Sequence, residues 1–244
     1  MATNFGQLLN NSLGGFLGLP KMASIESIIL HIQNRLPQFA TENRGGSITN
    51  ENGLTQRLVH VLSLDHKLPY FFDKEFIENE TKGRSARSDF AVITNQCVKF
   101  DAVLYQGKSR ILTFEAKRLA SLKTAREREY LEGKYFTSGK KKGKFDNSGG
   151  VERFKNETHG LGLDQAGIIG YIQEEDFTHW EGQIKTWTDN LITRSPVRGE
   201  VWSSTDYLDY QSQHLPDWKY YKSDCTIAKG TKSMVLHHIW VDLV

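Results

Sequence analysis

The chain has 244 residues, 38% of them hydrophobic and 25% charged, and a formal net charge of +2 at pH 7. That length suits one sizeable domain with a shared core, and so small a net charge excludes any argument about partners from total charge alone. Cys97 and Cys225 lie too far apart in sequence for a disulfide framework or a zinc-ligand spacing, and no run approaches a membrane span or a secretory leader, so a soluble, cytoplasmic protein is expected.

Residues 1–21, rich in Gly, Asn and Leu, read as a loosely attached arm, and 22–244 as a single domain. Ser24 is a plausible N-cap, and Ile25, Ile28, Ile29, Ile32 and Leu36 recur at helical spacing until Pro37. A second helix is expected after Thr49 or Asn50, with Leu54, Leu58, Val61 and Leu62 on one stripe and Glu51 in its first turn. "PYFFDKEFI" reads as a strand, and "SDFAVIT", "CVKFDAVLY" and "RILTFEAK" as a meander of three neighbouring strands. Leu119 to Glu132 is expected to be helical, stopped by Gly133 and followed by a basic, glycine-rich loop. Further helices are expected around "LDQAGIIGYIQ" and from Asp176 to Ile192, before a terminal hairpin of "KSDCTIAK" and "SMVLHHIWVDLV".

Glu-x-Lys occurs at 80–82, 115–117 and 132–134, but only Glu115 ends an apolar strand. Alternation puts Thr113, Glu115 and Lys117 on one face and Leu112, Phe114 and Ala116 on the other. Matching core face to core face sets Asp101 directly beside Glu115, with Gly107 to Ser109 as the loop. The same matching sets Asp89 beside Asp101. Two readings stay open at this point. Lys117 simply pairs with Glu115 at a strand edge, or the carboxylates hold a hard divalent cation, Mg²⁺ or Mn²⁺. Two carboxylates with a lysine two residues beyond the second suit metal-assisted phosphodiester hydrolysis.

"FDAVLYQGKSRILTFEAK", or alternatively the Asp of "SDFAVI" with the same Glu-x-Lys, resembles the signature of the PD-(D/E)XK, or restriction-endonuclease-like, nuclease superfamily, over roughly residues 50–175. No proline precedes either aspartate, a departure from the pattern. The resemblance implies an α/β fold, a mixed β-sheet flanked by α-helices. It implies an Mg²⁺-dependent endodeoxyribonuclease acting on double-stranded DNA, in restriction or phage defence, with a homodimer favoured if both strands are cut. By the same resemblance Asp101, Glu115 and the Ala116 carbonyl would hold the metal, Lys117 would orient or activate the attacking water, and Glu51 would be an accessory contact. Asp89, two strands from Glu115 in the expected meander, would stand roughly 9.6 Å away, and would be an indirect contact to the metal, a ligand of a second metal, or a carboxylate with no role at the site. The alternative is a non-catalytic nucleic-acid-binding or assembly protein with the same fold.

Lys140, Lys141, Lys142 and Lys144 form a basic loop suited to phosphate contacts. Arg153, with Lys155 and His159, reads as a further backbone-contacting element, and Gln165 as a DNA-contact candidate at a helix start. His237 and His238 read as structural.

Overall fold

Ser24 caps the first helix by accepting the Ser27 amide through its side chain, and Ser27 answers in a capping box. The structure, a computed structural model, describes residues 21–65, 67–78, 86–121, 128–133, 148–194, 200–211, 216–227 and 230–244. The elements are β1 (Lys21–Ala23), α1 (Ile25–Asn43), α2 (Glu51–Leu62), β2 (Tyr70–Lys74), β3 (Phe90–Thr94), β4 (Val98–Phe100), β5 (Val103–Tyr105) and β6 (Arg110–Leu119). They continue with α3 (Gly150–Lys155), β7 (Gln165–Ile172), α4 (Phe177–Thr193), a 3₁₀ turn (Ser204–Asp206), β8 (Asp209–Tyr210), β9 (Trp218–Ile227) and β10 (Lys232–Asp242).

Among the described residues the strands form a mixed seven-stranded sheet in the order β2-β3-β6-β7-β10-β9-β8, and a small sheet in the order β1-β4-β5. β6, β7 and β10 run parallel to one another; the other pairs of the large sheet are antiparallel. Alternation along β6, β7 and β10 feeds two cores. Leu112, Phe114, Ala116, Ile169, Tyr171, Ile239 and Val241 pack with α1 and α2, whereas Ala166, Ile168, Leu236 and Trp240 pack with α3 and α4. The chain is therefore α/β, with helices on both faces of one mixed sheet.

Several expectations give way to packing. Helix α1 does not stop at Pro37 but runs to Asn43, because its last turns bury Phe39, Ala40 and Asn43. That burial outweighs the lost amide donor. Residues 165–172 form a strand, not a helix. They are buried almost throughout, so their apolar run carries neither strand nor helix periodicity. Gly167 and Gly170 are close-packing positions: a Cβ at Gly167 would lie 2.1 Å from the Phe114 ring, and one at Gly170 would lie 2.5 Å from that of Trp240. Leu119 ends β6 and residues 128–132 form turns, so the helix expected from Leu119 to Glu132 does not exist at either end; residues 122–127 lie outside the described residues. Helix α4, capped by Asp176, and the β9–β10 hairpin stand where expected.

His237 and His238 are buried in β10 and fully engaged. Tyr220 and Gln165 bond the first, Tyr130 and Ser223 the second, at 2.7 to 2.9 Å. Burial, with Lys222 near His237 and His237 near His238, pushes their pKa values down to about 4 and about 3. The unfolded chain takes up protons at an ordinary histidine value while the folded chain refuses them. The contribution of these two histidines to stability is therefore expected to be complete above about pH 6.5 and to fall by on the order of 3 kcal/mol for each by about pH 4, measured by urea unfolding of the wild type against His238→Gln. His238→Gln should flatten that slope.

Candidate active site

The geometry starts from one strand pair. Phe90 of β3 is the direct partner of Phe114 of β6, their rings stacked 4.6 Å apart at an interplanar angle of 5°. One residue further along, Asp89 lies across from Glu115. Its amide donates to the Phe114 carbonyl at 3.1 Å, and its Oδ2 accepts the Ala116 amide at 2.7 Å. Asp89 is thus on the strand adjacent to Glu115, not two strands away.

The expected place of Asp101 is overturned. "CVKFDAVLY" is not a continuous strand between β3 and β6. It folds back on itself as β4 and β5, with Phe100 paired to Val103 across a two-residue turn in which Asp101 (φ 45°) and Ala102 (φ 71°) are both left-handed. This hairpin leaves the large sheet and pairs with β1, so β3 meets β6 directly. Asp101 Oδ2 accepts the Ile25 amide at 2.9 Å, at the start of α1. It is not brought to Glu115 as a ligand.

Thr113, Glu115 and Lys117 share a face as expected, and that face is buried. Glu115 is fully buried, with its Oε2 2.8 Å from Arg153 Nη1 of α3 and 3.3 Å from Lys117 Nζ. Glu115 Oε1 and His159 Nδ1 stand 2.7 Å apart without an aligned hydrogen bond. Lys117 also reaches Glu51, the first residue of α2, at 3.2 Å; Asn50 caps that helix by accepting the Gly53 amide. Beside them Glu78 takes Thr113 Oγ1 at 3.2 Å and the Gly160 amide at 3.2 Å and pairs with Arg110.

The two carboxylates are driven apart electrostatically. Burial, then the charges of Glu115 and Glu51, push Asp89 up to about 7, against the opposing pull of Lys117 and the Ala116 amide. Burial also raises Glu115, but Lys117, His159 and Arg153 outweigh it and hold that carboxyl down at about 2. Burial alone would discharge Lys117. Glu115, Glu51 and Asp89 prevail and raise its pKa, so it stays a cation.

Of the residues expected at the site, Glu51, Asp89, Glu115, Ala116 and Lys117 come together and Asp101 does not. Arg153, expected to contact a nucleic-acid backbone, touches Glu115 instead, and so does His159. Gln165 begins a strand, and its amide oxygen is engaged by His237 at 2.8 Å. Lys140, Lys141, Lys142 and Lys144 lie outside the described residues. Glu78 was not foreseen; nothing in its polar surroundings signals that it is held between Thr113, Arg110 and Gly160.

Hard oxygen donors are the right class for Mg²⁺ or Mn²⁺, and Glu115 Oε1 is a buried acceptor without a hydrogen-bond donor. Among the described residues, no three or more His, Cys, Asp or Glu side chains are grouped to hold a metal ion. Mg²⁺ commonly takes only one or two carboxylates, with water and substrate phosphate completing its shell. Asp89 and Glu115 fit that requirement. Among the described residues no helix is long and apolar enough to cross a membrane. Compared with family models, curated proteins and solved structures, the chain matches none.

Proposed function

We propose that the chain is a metal-dependent phosphodiester hydrolase of the PD-(D/E)XK type that cleaves DNA, with Asp89 in the role first given to Asp101. The observation that carries this reading is the direct opposition of Asp89 and Glu115 on neighbouring strands, with a charged Lys117 two residues beyond Glu115. Asp89 and Glu115 would hold Mg²⁺, or Mn²⁺ in its place, which when bound polarises a phosphodiester and lowers the pKa of an attacking water. Glu115, Glu51 and Asp89 raise the pKa of Lys117 in the metal-free protein, so it would act as a cation that orients that water or stabilises charge developing on the phosphate. Glu51 holds the ammonium in place from the far side.

A second reading, a nucleic-acid-binding protein without turnover, is favoured by the complete burial of Glu115 under cations of its own chain. One assay separates the two. Purified protein is incubated with plasmid duplex, single-stranded DNA and RNA, in Mg²⁺ and in EDTA. Mg²⁺-dependent cleavage of DNA that is lost in Glu115→Gln supports the hydrolase; binding without cleavage of any of the three overturns it.

A further inference from the structure

Resting on the metal-dependent reading above, we infer that Arg153 is an exchangeable counter-ion: it neutralises Glu115 while the site is free of metal, and moves to a substrate phosphate when a divalent cation takes that carboxylate. A fully buried carboxylate needs a compensating charge at all times, and Glu115 Oε2 now draws it from Lys117 and Arg153 together. Adding a divalent charge to so buried a cluster sets it against the groups that face Glu115, and of these His159, 1% exposed along its side chain, has the least room to withdraw, which leaves Lys117 and Arg153.

The structure distinguishes them. Lys117 is only 6% exposed along its side chain and is held from behind by Glu51 at 3.2 Å. The Arg153 side chain is 24% exposed where it meets the fully buried Glu115. Its backbone stays put while the side chain swings. The amides of Gly150, Val151 and Glu152 are bonded to the carbonyls of Glu129, Tyr130 and Leu131 at 2.8 to 3.2 Å. On the same helix, the buried Lys155 is ion-paired with Asp206 at 2.7 Å and donates to the Val201 carbonyl at 2.6 Å. A planar guanidinium released beside the reacting centre matches phosphate bidentately, which an ammonium does not.

The inference requires two effects of opposite sign, and loss of a merely structural ion pair produces no such pattern. Free Mn²⁺ is counted by electron paramagnetic resonance during titration of the wild type, Arg153→Gln, Arg153→Lys and Glu115→Gln, and KM for a DNA duplex is measured on the first three. Arg153→Gln should bind Mn²⁺ about tenfold more tightly than the wild type, having lost the competing cation, and should show a KM about tenfold higher. Arg153→Lys should keep near-native Mn²⁺ affinity, because the charge remains, yet still show a raised KM. If Arg153→Gln binds Mn²⁺ no more tightly, or its KM is unchanged, the exchange is wrong although the metal site stands. Should Arg153→Gln fail to give a cooperative melt, Arg153→Lys decides by its KM, and an unchanged value overturns the exchange. A wild type that binds no Mn²⁺, or binds it as well as Glu115→Gln does, overturns the metal site itself and the exchange with it.

Discussion

Lys117→Ala is expected to lower Mg²⁺-dependent DNA cleavage by about a thousandfold to ten-thousandfold, which is about 4 to 5.5 kcal/mol of transition-state stabilisation, while KM changes little. Lys117 pairs with both Glu115, at 3.3 Å, and Glu51, at 3.2 Å, and its raised pKa keeps it charged, so its contribution grows as charge builds up on the phosphate. Arg153 and His159 stay against Glu115 when the lysine is removed, which limits the cost of leaving that carboxylate buried. Lys117→Met, which keeps the volume of the aliphatic stem, checks the fold: it should melt near the wild-type temperature and be as inactive as the alanine variant. Equal loss of kcat and of DNA binding would point to a structural lysine.

The amphipathic elements were legible in the sequence because each buries one stripe. Ile25 to Leu36 in α1, Leu54 to Leu62 in α2 and Trp180 to Leu191 in α4 all turn their spaced apolar residues inward. The face carrying Thr113, Glu115 and Lys117 was legible because alternation holds from Leu112 to Lys117, beyond the register shift at the start of β6. What failed depended on contacts distant in sequence. Strand β7 is covered on both faces, so its residues show no period, and Gly167 and Gly170 are explained only by the rings of Phe114 and Trp240. The β4–β5 turn is built on Asp101 and Ala102, without the glycine that usually marks a two-residue hairpin, and "FDAV" therefore reads as continuous strand. That single missing turn set Asp101 beside Glu115 and Asp89 one strand further away. Arg153 and His159 reach Glu115 from α3 and the turn after it, and no spacing along the chain announces such a contact.

The exchange of the two aspartates has the second large consequence. Asp89→Asn keeps shape and a hydrogen-bond acceptor for the Ala116 amide but removes the charge that would face the metal, and cleavage should fall by about a thousandfold, or about 4 kcal/mol. Because Asp89 is pushed up to about 7 by burial and by neighbouring carboxylates, neutralising it should not destabilise the fold. At neutral pH and above it should make the metal-free protein slightly more stable, since the charged form is the strained one. Asp101→Asn should instead cost at most about 1 kcal/mol of stability through its bond to the Ile25 amide, and leave cleavage near the wild-type rate. The most direct measurement is single-turnover cleavage of one DNA duplex in Mg²⁺ by the wild type, Asp89→Asn and Asp101→Asn side by side. The site described here predicts that Asp89→Asn loses about a thousandfold and Asp101→Asn almost nothing; the reverse order, or a wild type that leaves the duplex intact in Mg²⁺, would contradict it.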